Sequence, residues 1–182
     1  MRPYLKVAYN RIRFFRMKLL TKAEIHVAGV QMFSYSARFR CKRNSSMSIG
    51  DRVVNDGRFS AVVDTDASLA IGSNVYFNDG AMLSAKDAIT IGDCCLFGPN
   101  VLIFDNNHRF DQNGIQPGHS AESITIGDNC WIGAGVIVLK GTHIGNNCVV
   151  SAGCIVRGEI PDGSLVKNTA GITVVPIENR MQ

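Results

Sequence analysis

Long apolar runs and the marks of secretion are absent from this 182-residue sequence. No stretch reaches the roughly 18 consecutive apolar residues that a transmembrane helix requires, so no membrane-spanning segment is expected. The N-terminus is basic, but it lacks the uninterrupted apolar core of a signal peptide. These absences predict a cytoplasmic protein, and the length predicts one domain with at most a short appendage.

Paired cysteine motifs are also missing, and acidic residues are scarce near the N-terminus. Six cysteines form no Cys-x-x-Cys pair, and adjacent Cys94 and Cys95 are poorly placed to share a metal ion, so no metal site is expected. Residues 1–43 contain eleven Lys or Arg and one acid, Glu24, whereas the remainder carries eight basic and fourteen acidic residues. The positive charge is therefore a local patch, and we expect no nucleic-acid partner.

A six-residue spacing of large apolar residues runs through most of the chain. Three stretches follow it: Ile71, Phe77, Leu83 and Ile89; Ile91, Phe97 and Ile103; and Ile126, Ile132, Val138, Ile144, Val150 and Val156. An amphipathic helix would repeat its apolar residues every three or four positions. A period of six is typical of stacked coils, each made of three short strands whose apolar side chains fill the interior. The small position four residues later holds Cys95, Cys130, Cys148 and Cys154, which are interpreted as buried, free thiols.

The phrases LAIGSN, ITIGDC and ITIGDN open three turns of this pattern. Residues 45–175 resemble the hexapeptide-repeat family, which implies an all-β fold, a left-handed parallel β-helix of hexapeptide repeats with a short N-terminal helix. We expect a basic helical cap segment at residues 1–44, the β-helix acyltransferase domain at 45–175, and a C-terminal tail at 176–182.

One segment breaks the repeat. Residues 109–125 fit no hexad, and Gly114, Pro117 and Gly118 within them favour a loop. Such a long loop in a compact repeat is usually functional. His108 stands at its root and is the candidate functional residue there.

The stretches GPNVLIFDNNH and ITIGDNCWIGAGVIVLKGTHIGNNCVVSAGC resemble acetyl-CoA-dependent sugar O-acetyltransferases, including galactoside, maltose, colanic-acid and capsular enzymes. In that family a histidine lies nine residues after the proline of a PN motif, and Pro99 and His108 keep this spacing. The resemblance implies that His108 is the general base and that acetyl-CoA is the donor. Asp105, three residues before His108, is a candidate to orient it. The implied acceptor is a saccharide hydroxyl, on a bacterial surface polysaccharide or its precursor.

The same resemblance implies a homotrimer that holds coenzyme A in a groove between subunits. The implied acceptor-binding residues are Asn78 and Trp131. The implied cofactor-binding residues are Gly133, Ala134, Ala152 and Gly153 along the pantetheine arm, and Arg157 and Lys167 near the phosphates. The family ending GNPAK reads KNTAG at residues 167–171, so Arg157 and Lys167 stand in for a missing basic residue.

The N-terminal segment 3–20 is expected to form a helix. Its shared face holds Leu5, Ala8, Tyr9, Ile12, Phe15 and Leu19. One interpretation is a cap on the open end of the coil stack. The other is an interfacial helix on anionic lipid, which would place the protein at the inner face of the membrane.

Three other functions stay open at this point. The chain could acetylate an amine or a small molecule such as serine. It could be a zinc hydratase, although that site needs three histidines brought together between subunits and the sequence has only four. It could also be a non-catalytic trimeric scaffold.

Overall fold

The computed structural model describes residues 3–168, which form one helix followed by short strands. The helix is α1 (Pro3–Leu20). The strands, in chain order, are β1 (Glu24–Val27), β2 (Gln31–Met32), β3 (Arg38–Cys41), β4 (Ser46–Ile49), β5 (Val53–Asn55), β6 (Phe59–Val63), β7 (Ser68–Ile71), β8 (Tyr76–Phe77), β9 (Ala81–Ala85), β10 (Ala88–Ile91), β11 (Leu96–Phe97), β12 (Leu102–Phe104), β13 (Asn106–Asp111), β14 (Gly114–Ala121), β15 (Ile124–Ile126), β16 (Trp131–Ile132), β17 (Ile137–Leu139), β18 (His143–Ile144), β19 (Val149–Val150), β20 (Ile155–Val156), β21 (Glu159–Ile160) and β22 (Leu165–Val166).

These strands stack into three parallel sheets that the chain visits in turn. Sheet A joins β1, β4, β7, β10, β15, β18 and β21; sheet B joins β2, β5, β8, β11, β16, β19 and β22; sheet C joins β3, β6, β9, β12, β17 and β20. The chain passes between sheets at three columns of turns, named here the A–B, B–C and C–A corners. The predicted fold class, a parallel β-helix of hexapeptide repeats with an N-terminal helix, is confirmed.

The core of the β-helix consists of the six-residue series found in the sequence. Every member of the three stretches is buried, with at most 3% of its surface exposed. Cys95, Cys130, Cys148 and Cys154 are buried and free, as predicted. Each coil covers its apolar interior only against its neighbours, so stability depends on stacking.

The A–B corner shows how polar residues hold the coils in register. The Asp93 amide donates to Asp128 Oδ1 at 2.7 Å, and the Asp128 amide donates to Asn146 Oδ1 at 2.8 Å. The next positions, Asn129 and Asn147, both have a φ of 56°. Asparagine tolerates this left-handed conformation, which explains why Asn follows Asp or Asn at these turns.

The β-helix begins at Glu24, so the predicted boundary at residue 45 is wrong. Glu24 in β1 pairs in parallel with Ser46 in β4. Equivalent residues in the first coils are 22 positions apart, as for Arg52 and Asn74, compared with 18 for Asn129 and Asn147. The longer early turns remove the strict six-residue period, which is why the sequence pattern did not reveal the first coil.

The predicted excursion is a two-stranded antiparallel hairpin, β13–β14, that leaves the C–A corner. It spans residues 106–121, so the predicted loop bounds of 109–125 are shifted. Residues 124–126 already belong to sheet A as β15, which pairs with β10.

Helix α1 packs on the first coil. Phe14 is buried, and its ring lies 5.0 Å from that of Phe39 and 6.1 Å from that of Phe33. Within residues 3–168, no helix is both long and apolar enough to cross a membrane. The predicted tail at 176–182, together with residues 169–175 of the predicted domain, lies outside the described residues.

Candidate active site

His108 lies on the first strand of the hairpin and is exposed to solvent. It stands opposite His119 of the second strand, and the two ring centroids are 4.6 Å apart with the planes tilted by 41°. The strand register shifts between His108 and Arg109. Bulges of this kind re-aim side chains, and they are frequent beside active sites. Among residues 3–168, no hydrogen bond engages the ring nitrogens of His108, so they can meet a ligand.

His119 lies in the middle of the loop predicted from the sequence, where the repeat pattern does not distinguish it from its neighbours. Partial desolvation, followed by the nearby positive charges of Lys86 and His108, lowers the pKa of His119. This imidazole is therefore neutral at neutral pH. A turn signal, Asn113–Gly114, was present in the sequence and could have paired the two histidines across a hairpin.

Asp105 is fully buried at the root of the hairpin. Its carboxylate accepts backbone N–H bonds from Lys86 at 2.8 and 2.9 Å and from Asp87 at 2.8 Å, and Oδ1 also accepts from Asn106 Nδ2 at 2.9 Å. Within the part of the chain that the structure describes, no hydrogen bond joins Asp105 to His108. Direct orientation of His108 by this carboxylate, expected from the sequence, is absent; Asp105 instead fixes the backbone from which the hairpin starts.

A charged ladder runs beside the hairpin root at the C–A corner. Asp64 pairs with Lys42 at 2.8 Å and with Lys86 at 2.6 Å. The hydrogen bonds from Lys42 and Lys86 hold the pKa of Asp64 well below its usual range. The Lys86 backbone amide is bonded to Asp105, so this ladder and the hairpin root share one residue.

The predicted pantetheine-binding residues form a second feature at the B–C corner. Gly133 packs so closely on the next coil that an added Cβ would lie 2.6 Å from the Ala152 backbone nitrogen. Gly153 has a φ of 72°, and its amide donates to the Ala134 carbonyl at 2.8 Å. Ala134, Ala152 and Gly153 are exposed, so an extended ligand can approach the backbone along this column.

Three more predicted residues lie on sheet B or at the B–C corner. Asn78 lies at the B–C corner, where its Oδ1 accepts from the Asp79 amide at 2.7 Å. Trp131 is 57% exposed on the outer face of sheet B, between Leu96 and Val149 in register. Lys167 is exposed at the B–C corner after β22.

Arg157 lies on the other side of the β-helix, at the C–A corner after β20. The pKa of the Glu122 carboxyl is lowered mainly by its hydrogen bond from Lys140 and, to a smaller extent, by the charge of Arg157. One chain therefore carries His108, Asp105 and Arg157 at the C–A corner. The residues predicted to bind coenzyme A, Arg157 excepted, lie at the B–C corner. The two groups are separated by sheet C.

Comparison with known proteins gives consistent matches. Residues 123–157 match the family model described as the hexapeptide repeat of succinyl-transferase. The Escherichia coli lipopolysaccharide biosynthesis protein WbbJ, provisionally named an O-acetyl transferase, is 28% identical over 141 residues, 71% of this chain and 72% of WbbJ. The galactoside O-acetyltransferase of Lactococcus lactis is 36% identical over 99 residues, 54% of this chain and 48% of that enzyme.

The matches leave part of each relative uncovered. One further curated relative aligns with 98% of this chain, but the alignment covers only 58% of the relative's own length. This chain therefore spans between about half and three quarters of the length of these relatives. A hexapeptide-repeat-containing acetyltransferase of Vibrio cholerae, solved in complex with acetyl coenzyme A, has a TM-score of 0.51 and is 26% identical, with 86% of this chain and 71% of that chain covered. The stacked hexapeptide coils and these relatives agree, and the chain is similar to hexapeptide-repeat acetyltransferases.

Proposed function

We propose that this protein is an acetyl-CoA-dependent O-acetyltransferase that acetylates a hydroxyl of a saccharide, with His108 as the general base. The observation that carries the proposal is the hairpin, which presents an exposed imidazole beside an otherwise regular solenoid; within residues 3–168 its ring nitrogens have no hydrogen-bond partner. The V. cholerae family member solved with acetyl coenzyme A supports the choice of donor.

The chemistry needs only one proton acceptor. The imidazole of His108 removes the proton of the sugar hydroxyl as its oxygen attacks the thioester carbonyl. The tetrahedral intermediate then collapses, the C–S bond breaks, and the imidazolium returns the proton to the leaving thiolate of coenzyme A. Because His119 is neutral, it adds no positive charge beside the imidazolium that forms on His108.

The separation of the two corners supports a homotrimer in which each site lies between subunits. The His108 hairpin of one subunit would then face the B–C corner of its neighbour. The outer faces of sheets B and C carry exposed apolar side chains, namely Met82, Leu96, Trp131, Ile155 and Leu165. Sheet A presents mostly polar residues outward, such as Ser48, Thr90, Thr125 and Glu159. The pattern favours association through sheets B and C and leaves sheet A in solvent.

The tip of the hairpin offers an apolar contact to a neighbouring subunit. Phe110 and Ile115 pair across its two strands near the tip, and they are 77% and 80% exposed in the isolated chain. A two-stranded hairpin is marginal on its own in water. Covering these two side chains by an adjacent subunit would hold His108 in place.

The acceptor is proposed to be a surface polysaccharide or its precursor, since WbbJ is named for lipopolysaccharide biosynthesis and the L. lactis relative for galactosides. The test incubates the protein and acetyl-CoA with neutral sugars, amino sugars and serine, and measures free coenzyme A. Mass spectrometry before and after mild base then separates a labile ester from a stable amide. An ester on a neutral sugar supports the proposal, and an amide product or failure to bind acetyl-CoA rejects it.

A further inference from the structure

Helix α1 is attached to the β-helix by one face only. Phe14 is buried against the aromatic rings of the first coil, and Asn10 Nδ2 donates to the Phe33 carbonyl at 2.8 Å. Lys6 Nζ donates to the Asn55 carbonyl at 3.0 Å, and Arg13 donates to the Ser34 and Tyr35 carbonyls at 3.2 Å. These contacts fix the rotation of the helix about its axis, so its opposite face has a defined direction.

The opposite face is an apolar stripe. Leu5, Ala8, Ile12, Phe15 and Leu19 follow the three- and four-residue spacing of one helical face. Ile12, Phe15 and Leu19 are 60%, 63% and 67% exposed, and nothing among residues 3–168 covers them. A cap alone would not require this stripe, because a cap ordinarily turns a polar face to solvent.

Basic side chains border the stripe on both sides. At 100° per residue, Arg16 falls on one edge and Arg11 and Lys18 fall on the other. All three are exposed, and α1 contains no acidic residue. Within the described chain none of these three cations has an ion-pair partner. By contrast, Lys6 of the same helix contacts the second coil and Arg13 contacts the first.

A cavity of about 390 Å³ lies where one edge of α1 meets the first coil. Arg11, Lys18 and His26 line it together with Phe15 and Ile25. It combines cations with apolar side chains, which suits a phosphate head group whose acyl chain continues along the stripe.

We propose that α1 docks this protein onto the surface of an anionic phospholipid bilayer. The helix lies in the interfacial plane, with Ile12, Phe15 and Leu19 below the head groups and Arg11, Arg16 and Lys18 on the phosphates. A symmetric contact with a second copy would bring these same cations against each other, so charge favours a lipid surface as the occupant. The inference is independent of the proposed acetyl transfer.

The test is flotation of the full-length protein with vesicles of phosphatidylcholine alone and of phosphatidylcholine with about 30 mol% phosphatidylglycerol. We expect binding to the anionic vesicles, release at about 0.5 M salt, and little binding to the zwitterionic ones. Both the double variant Ile12→Ser, Phe15→Ser and the triple variant Arg11→Gln, Arg16→Gln, Lys18→Gln should lose at least about tenfold in affinity.

Matched controls place the same substitutions elsewhere. Arg40→Gln and Arg43→Gln, singly and together, remove exposed cations outside α1 and should not change vesicle binding. Circular dichroism and light scattering check folding and mass. Equal binding to both lipid mixtures, or unchanged binding by the folded α1 variants, overturns the proposal. A third outcome also overturns it: the parent protein does not bind vesicles, and the Ile12→Ser, Phe15→Ser variant forms a smaller oligomer than the parent. That result would mean that the apolar stripe contacts a second copy of the protein.

Discussion

The imidazole rings of His108 and His119 face each other across the two strands of the hairpin, with centroids 4.6 Å apart. The two residues are not equivalent. His119 is half-buried beside the Lys42–Asp64–Lys86 ladder and has a lowered pKa, whereas His108 is exposed. This asymmetry is the reason for proposing His108, and not His119, as the base.

The first prediction concerns the proposed base. His108→Ala should lower kcat by about 10²–10⁴-fold, the usual cost of losing a general base. Because His108 is exposed, its truncation leaves no core cavity, so folding and acetyl-CoA affinity should change little. The measurements are kcat, thermal unfolding and calorimetric affinity for coenzyme A.

His119→Ala is the matched control for this variant, since it removes the same ring from the facing strand. It should reduce kcat much less than His108→Ala, because a packing neighbour takes no proton. If His119→Ala is the more damaging change, or if His108→Ala keeps more than about a tenth of kcat, His108 is not the base.

The second prediction concerns Asp105, whose carboxylate holds the hairpin root. In Asp105→Asn, the new NH₂ group would face the backbone N–H groups of Lys86 or Asp87, leaving buried donors without an acceptor. We expect a loss of about 1–3 kcal/mol in the free energy of unfolding. Asp111→Asn, near the exposed hairpin tip, is the control and should be near neutral; equal stability of the two variants would contradict the anchoring role of Asp105.

Much of the fold was predictable because the core of a β-helix is periodic. The inward positions from Ile126 to Val156 recur every six residues, since each short strand and its turn use the same length. The first coil escaped detection because its turns are longer, so Ile25 and Met47 pair at a spacing that no hexad predicts. A search for a six-residue period cannot detect a coil whose length is not a multiple of six residues.

The candidate site was predictable only in part. The break in the repeat identified His108, because a departure from a regular pattern is visible in a single sequence. The pairing of His108 with His119 and the contacts of Asp105 with Lys86 and Asp87 depend on long-range register, which sequence spacing does not specify. Likewise, only the sheet topology shows that Arg157 and Lys167 lie at different corners.

The third prediction concerns the column of small residues at the B–C corner. Ala152→Trp places a bulky side chain on an exposed position where the pantetheine arm is proposed to run. Acetyl-CoA affinity should fall at least about tenfold, roughly 1.4 kcal/mol, without loss of stability. Thr90→Trp, on the exposed face of sheet A, is the control. If Ala152→Trp leaves the affinity for acetyl-CoA unchanged, the donor does not bind at this corner.

The fourth prediction concerns assembly. Ile155 is 66% exposed on the outer face of sheet C, so Ile155→Glu creates no cavity in the chain itself. If this face lies between subunits, a buried unpaired carboxylate should dissociate the trimer. Light scattering should then give a smaller mass than for the parent protein, with Thr90→Glu on sheet A as the unaffected control. A parent protein that is already monomeric at micromolar concentration would contradict the assembly.

The fifth prediction follows from the pKa of Asp64, which its hydrogen bonds from Lys42 and Lys86 place well below the usual range. A carboxyl whose pKa is lower in the folded state than in the unfolded chain stabilises the fold above its unfolded pKa of about 3.9, and this contribution is lost as pH falls. The two ion pairs are partly exposed, so we expect them to contribute about 0.2–1 kcal/mol each. Asp64→Asn should therefore lower the melting temperature by a few degrees near neutral pH.

The pH dependence distinguishes this electrostatic effect from a packing defect. The difference in melting temperature between the parent protein and Asp64→Asn should be largest above about pH 5 and should shrink progressively as the pH falls below about 4. Below that pH the carboxyl of the unfolded chain binds a proton while the folded-state carboxyl, with its lowered pKa, still does not. Asp66→Asn is the control: Asp66 is exposed, and Asn tolerates its φ of 60°. A constant difference between parent and Asp64→Asn from neutral to acid pH would mean that the substitution acts through packing at the C–A corner, and that the charge of Asp64 does not stabilise the ladder.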